Sequence, residues 1–316
     1  MIPMIRYLTH ADIDKNKWDQ TIDKAFNGNV YAYSWYLDRV HPYWEALIEG
    51  DYERVMPLTG NKKWGVYYLF QPYFTQQLGV YSVNILSREH IVAFIQNIPK
   101  KFRFAEINLN IYNHPDLTSP YRLIPQKNFL LDLIDDYSKL HRHYSANTRR
   151  NLKKSLKQNF SISKNIKPER IVELFADNKG KEVSGWKQAD YLRLQGLMYM
   201  AQYKGKGITY GVFTNENNLC AAGFFLYSNQ HLTFLFSGRN EDAAQTGAMT
   251  FLFDTVIREY AETQMILDFE GSNDPGLARF YKGFGAKEVQ YKRLEYNRLP
   301  FPLKQLVGLK KFMKRN

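Results

Sequence analysis

Asp268 and Glu270 stand two residues apart at the end of the apolar run Met265-Ile266-Leu267. Alternating apolar and acidic residues fit a strand about to leave a sheet, and side chains two apart on a strand share a face. A carboxylate so placed in a partly buried cleft gains a raised pKa and serves as a general base. The competing reading is a charged strand end paired to Arg279 or Lys282. A second group with chemistry lies in residues 141–157, HRHYSANTRRNLKKSLK. Here Asn147, Arg149, Arg150 and Lys153 sit on a basic helix capped by Ser145 or Asn147, with Tyr144, Leu152 and Leu156 as its apolar row. Such charge density either binds an anion, on a cofactor or on RNA, or is a solvated face. Ser237, Gly238 and Arg239 end an earlier strand, where a cofactor or substrate can lie. The histidines show no metal-ligand spacing beyond His141 and His143, which read as solvent-facing, so no metal is expected.

The acids are positioned by residues 265–294, MILDFEGSNDPGLARFYKGFGAKEVQYKRL. The opening strand gives way to turn residues 271–274, where Asn273 or Asp274 caps a helix. Pro275 suits a first helical position, since its missing N–H would be unpaired there. Leu277, Phe280, Tyr281 and Phe284 recur at helical spacing; Gly283 and Gly285 stop the helix. A last strand covers residues 287–294.

Upstream, the spacing predicts helices over 12–26, 34–41 and 89–98, and strands over 44–49, 53–58, 64–70, 104–110 and 128–133. Gly50-Asp51 and Gly60-Asn61 read as turns of an antiparallel meander. Residues 71–80, QPYFTQQLGV, mix amides and rings around a proline. They either face a cleft or bury their rings while the amides serve backbone groups. Beyond Asp135, helices at 168–180 and 189–203 precede strands at 208–213, 219–227 and 231–237, a polar loop at 238–246 and a helix at 247–263.

A chain of 316 residues suits two cores better than one. The 43 Lys and Arg against 31 Asp and Glu leave a net charge of +12, which favours a nucleic acid, an anionic membrane face or a phosphorylated substrate. Cys220 is the single cysteine, in an apolar run, so it reads as packing; disulfides within the chain and multi-thiolate zinc sites are excluded. The first residues do not read as a signal peptide, and no window reaches the roughly 18 apolar residues of a membrane span. A cytoplasmic protein is expected.

The 265–294 unit resembles the last strand–helix–strand unit of the GNAT acyltransferase superfamily. There an Asn precedes the helix and a helix Tyr stands before a closing Gly. The wording FEGSNDPGLARFYKGFGA is closer still to the Fem family of aminoacyl-tRNA-dependent peptidyltransferases and to Fem-like acetyltransferases. The resemblance is strong over 140–295 and architectural over 1–135. It implies an α/β (α+β) fold of two tandem GNAT-like domains, each a mixed, mostly antiparallel sheet flanked by helices. The first, 1–135, is degenerate; the second, 136–300, carries the site; a basic amphipathic tail, 301–316, follows.

The resemblance also implies roles. Tyr281 is similar to the tyrosine that protonates a leaving thiolate, and joins Asp268 and Glu270 as the catalytic set. Donor phosphates would rest at Gln245-Thr246-Gly247-Ala248-Met249, which keeps a Gln and one Gly of the usual loop but lacks the second downstream Gly. Asn273, Arg279, Ser237, Gly238 and Arg239 complete the expected cofactor set. Asn147, Arg149, Arg150 and Lys153 match an Asn-then-basic stretch that opens the second Fem domain. The implied donor is acetyl-CoA or another acyl-CoA, or aminoacyl-tRNA. The degenerate loop points to tRNA, and the lack of a long helical-arm insertion points away from a full Fem enzyme. The acceptor would be a small or peptide-like amine. The tail, PLKQLVGLKKFMKRN, interleaves apolar and basic residues and suits an anionic bilayer and a lipid-linked cell-wall precursor, or else packs or trails. The alternative to an acyltransferase is a non-catalytic module docking RNA or an anionic membrane.

Overall fold

The computed structural model describes residues 4–181, 186–271, 273–302 and 304–305. It divides into two compact units: the described residues up to Gln126 together with those from Gln290 on, and residues Lys127–Val289. The changeovers fall inside strands, whereas the sequence expectation placed them at 135 and 300. A continuous strand hides its change of allegiance from composition. Most of the expected tail lies outside the described residues.

In the first unit, β1 (Ile5–Leu8), β2 (Glu45–Glu49), β3 (Arg54–Leu58) and β6 (Tyr81–Ser82) form an antiparallel sheet in the order β1-β2-β3-β6. A second sheet takes β4 (Gly60–Lys63), β5 (Val66–Phe70), β7 (Phe102–Asn108) and β14 (Lys287–Asn297); β5 and β7 run parallel. The helices are α1 (Lys15–Lys24), α2 (Ser34–Val40) and α3 (Arg88–Gln96). Asp14 starts α1 by accepting the N–H groups of Asn16 and Lys17 at 3.0 Å each, satisfying donors a helix start leaves open. The core gathers Leu47, Met56, Phe94, Phe102 and, from the far end of the chain, Leu294. Gly60-Asn61 is no turn: it opens β4, and the reversal comes at Trp64-Gly65.

The second unit begins within β8 (Tyr121–Asp132). Its elements are α4 (Tyr137–Arg142), α5 (Ala146–Ser155), β9 (Ser161–Lys164), α6 (Pro168–Ala176), α7 (Gln188–Tyr203), β10 (Gly207–Phe213), β11 (Leu219–Ser228), β12 (His231–Arg239), α8 (Glu241–Thr246), α9 (Ala248–Tyr260), β13 (Ile266–Asp268) and α10 (Pro275–Lys282). The strands lie in the order β8-β13-β12-β11-β10-β9. In this row β12 and β13 are parallel, and the other neighbours run antiparallel. The basic stretch is two helices, broken where Ser145 caps α5 by accepting the Thr148 N–H at 3.1 Å. Of its expected apolar row, Tyr144 and Leu152 are buried and Leu156 is exposed. The expected polar loop at 238–246 instead prolongs β12 and forms α8. The core centres on Phe253 of α9, whose ring meets those of Phe234, Phe269, Phe284 and Phe280 at 4.8–5.7 Å. Among the described residues no helix is long and apolar enough to cross a membrane.

Candidate active site

The second unit opens where two parallel neighbours part. β12 pairs with β13 only over His231–Thr233, against Ile266–Asp268; β12 continues to Arg239 while β13 stops. The chain after β13 turns away: Glu270 is left-handed at φ +50°, and the Gly271 N–H donates to Asn128 Oδ1 at 2.5 Å. Gly271 lies so close to β8 that a Cβ would sit 1.9 Å from the Lys127 carbonyl, so glycine is required. Asp274 then caps α10, accepting the N–H groups of Gly276 and Leu277 at 2.8 and 2.9 Å.

The gap holds a cavity of about 580 Å³. Its walls are Phe234, Ser237, Gly238 and Arg239 of β12, Met249 and Phe253 of α9, Phe175 of α6 with Lys179 just past its end, and Asp274, Gly276, Leu277, Phe280 and Tyr281. That size falls within the roughly 300–1,000 Å³ that takes a small organic ligand. The lining is mostly rings and aliphatic groups, with two cations and a strand edge whose backbone groups past Thr233 have no β13 partner.

Tyr281 is buried in this wall, its ring 5.0 Å from Phe269 and 6.0 Å from Phe129. Burial, then the negative charges of Glu270 and Asp274, push its hydroxyl above the usual tyrosine value. It therefore stays protonated at neutral pH.

The two acids do not act as a pair on one face. β13 ends at Asp268, and Glu270 lies in the turn, half-buried, with its charge felt at Tyr281. Leu267 and Phe269 belong to the core beside α9, so Asp268 between them projects to the other side of the sheet. Asp268 is not among the cavity's lining residues. It accepts the Glu270 N–H at 2.8 Å, which holds the left-handed turn. Burial raises its pKa, against the opposing pull of His231, the Glu270 N–H and the Asn128 amide. Lys282, named in the competing reading, pairs with Glu288 at 2.7 Å.

Of the expected cofactor set, Ser237, Gly238 and Arg239 line the cavity. Gln245, Thr246, Gly247 and Ala248 do not. Gln245 is exposed on α8, the Thr246 hydroxyl donates to the Asp242 carbonyl at 2.9 Å, and Ala248 is buried. Gly247, at φ +80°, joins α8 to α9, and a Cβ there would meet the Asn151 carbonyl of α5 at 2.7 Å. That side of Gly247 is packed against α5, which explains the glycine. Asn273 and Arg279 are exposed, beside the lining rather than in it.

Asn147, Arg149, Arg150 and Lys153 all lie exposed on α5, outside the cavity lining. The Arg150 guanidinium donates to Asn147 Oδ1 at 2.7 Å. Among the described residues none of these cations, nor Lys154 or Lys157, has a carboxylate partner; the paired cations lie elsewhere. Sequence reasoning missed Phe175, Lys179, Phe234 and Phe253; Met249, the last residue of the expected phosphate stretch, lines the cavity. Leu277 and Phe280 were legible as neighbours of Tyr281 on one helix. Nothing in the sequence ties α6 to α10.

No family model and no curated protein sequence matches the chain. Solved structures do. The crystal structure of FemX superposes at a TM-score of 0.65 and 13% identity, covering 96% of this chain and 99% of that one. The C-terminal domain of a putative lysylphosphatidylglycerol synthetase from Agrobacterium fabrum gives 0.58 at 10% identity, over 93% and 94%. L-PGS from Bacillus licheniformis gives 0.54 at 11%, over 96% and 97%. Likeness at such identity establishes the fold, and the chain accordingly has the mixed α/β, GNAT-like architecture of Fem-type proteins.

Proposed function

We propose that the protein is an acyltransferase that forms an amide on an amine acceptor within the second-unit cavity, with an aminoacyl ester as donor. The observation that carries this is the cavity between the unpaired edge of β12 and α10, with Tyr281 among its lining residues. An acyl group laid along that edge meets backbone donors suited to a developing oxyanion. The amine nitrogen attacks the ester carbonyl and the carbon–oxygen bond breaks. Tyr281 gives its proton to the departing oxygen. Glu270, beside the lining rather than in it but with its charge acting on the same hydroxyl, receives through water the proton the amine sheds, and Asp268 positions Glu270 through its N–H.

The donor assignment rests on two features. The Gln245–Ala248 turn lacks the second glycine of the usual phosphate loop and lies outside the cavity lining, and among the described residues the α5 cations have no carboxylate partner, which leaves them open to phosphates. Such a donor places the reaction in the cytoplasm. A transfer assay with labelled aminoacyl-tRNA and a panel of amines tests the proposal; Leu277→Trp, which fills the cavity from the half-exposed face of α10, abolishes product. Equal transfer from acyl-CoA overturns the donor, and no transfer from either overturns the enzyme. The second reading, a module that docks RNA through α5 without chemistry, is favoured by α5 lying outside the cavity lining. It predicts salt-sensitive RNA binding with no product.

A further inference from the structure

The turn between β4 and β5 takes no part in the chemistry above. It is Trp64-Gly65, with φ of +50° and +78°. Two-residue turns with both φ positive favour Asn-Gly, because the left-handed region suits short polar residues and glycine. A bulky side chain there is an outlier that points to function. The ring gains no burial in return: Trp64 is 86% exposed, with the Lys63 ammonium 4.8 Å from its centroid. Lys62 lies 4.9 Å from the exposed Tyr67 ring, and Lys101 approaches the same ring at 5.5 Å. Lys101 is paired with Glu45 at 2.7 Å; Lys62 and Lys63 have no carboxylate partner among the described residues. β4 is the outermost strand of its sheet. Lysines on an outer strand are explained by protection against edge-to-edge pairing. An exposed tryptophan beside them is not, since it works against that protection.

We propose that this hairpin tip docks on an anionic lipid bilayer, with Trp64 at the membrane–water interface and Lys62 and Lys63 against headgroup phosphates. Tryptophan favours that interface because one end of its ring system is apolar and the other donates a hydrogen bond. Lysine keeps its ammonium among the headgroups while its stem covers the apolar layer. Single-stranded nucleic acid fits less well, since its binding sites offer successive rings along a cationic groove and this tip offers one ring on a two-residue turn.

The test uses the full chain and vesicles of phosphatidylcholine with and without phosphatidylglycerol. The protein binds only the anionic vesicles, and brominated lipids quench its tryptophan fluorescence. Trp64→Asn supplies the residue the turn prefers, so it stays folded, and it loses both the quenching and most of the binding. Lys62→Gln with Lys63→Gln weakens partitioning by roughly 10- to 30-fold at low salt, less at high salt. Wild-type-like binding by Trp64→Asn overturns the proposal, as does absence of anionic-vesicle binding. So does quenching of Trp64 by single-stranded RNA without any by vesicles.

Discussion

The two units treat their polar interior in opposite ways. In the first, the amide-rich residues 71–80 and their neighbours close on themselves. Asn113 Oδ1 accepts the Val80 N–H at 2.7 Å, and its Nδ2 donates to the Val80 carbonyl at 3.0 Å. Asn27 donates to that carbonyl at 2.9 Å, and the Gln77 side chain accepts the Ile111 N–H at 2.9 Å. In the second unit a strand edge past Thr233 is left without its β13 partner and faces a cavity. Amides and rings therefore do not make a site by their presence. What separates the regions is whether backbone groups are already consumed, as burial normally demands.

The largest effect that sharpens this contrast is Tyr281→Phe. It removes one hydroxyl from the open region and lowers the transfer rate by about 10²–10⁴-fold, with little change in denaturant midpoint. A rate within a factor of two or three of wild type removes Tyr281 from the reaction. Asn113→Ala does the converse. It strands the buried Val80 N–H and lowers stability by about 1–3 kcal/mol, read by urea unfolding, while the transfer constants of the surviving folded protein are unchanged. A variant that loses turnover at full stability would break the comparison.

Much of this is readable from residue order. Asp274-Pro275, the spacing of Leu277, Phe280 and Tyr281, and the left-handed Gly285 just past the helix specify α10 locally, because caps, helical periodicity and left-handed stops are short-range effects; Gly283 itself keeps helical angles. The same short-range reasoning puts Ser237, Gly238 and Arg239 at the end of a strand, and there they line the cavity. The misreadings have long-range causes. Glu270 fails to share a face with Asp268 because the Lys127 carbonyl and the Asn128 side chain, more than a hundred residues earlier, bend the chain away. That the Cβ side of Gly247 abuts the Asn151 carbonyl of α5 is likewise a long-range contact that the sequence does not show. Trp64-Gly65 breaks the turn preferences that would locate the hairpin, and Gly60-Asn61 satisfies them without being a turn.

A smaller effect concerns the open side of the second unit. Replacing Arg149, Arg150 and Lys153 by Gln leaves the cavity lining intact and weakens donor binding. The slope of log affinity against log salt falls by about 0.7–0.9 for each phosphate no longer neutralised. Filter binding across a salt series measures it. An unchanged slope assigns α5 to a solvated face, and the charge contrast between α5 and the ion-paired helices then carries no function.

The smallest effect compares the buried acids. In the first unit Glu49 is buried against Arg54, which also donates to the Ile85 carbonyl at 2.8 Å. Asp268 has no Arg or Lys partner among the described residues; the Glu270 N–H, the Asn128 amide and the nearby His231 only partly offset its burial, and its pKa stays above the ordinary carboxylate value. An acid with a raised folded-state pKa binds its proton more tightly folded than unfolded. As pH rises from about 4 through that folded-state value, the native state holds more proton than the unfolded one, and stability falls. Asp268→Asn removes this loss while keeping an oxygen to accept the Glu270 N–H. Wild type and variant therefore unfold alike below about pH 4, and the variant gains as pH rises, until the difference levels off above the folded-state pKa. Urea midpoints measured across pH would show the two curves diverging upward; parallel curves would mean that Asp268 ionises as freely folded as unfolded, and that its burial costs the fold nothing.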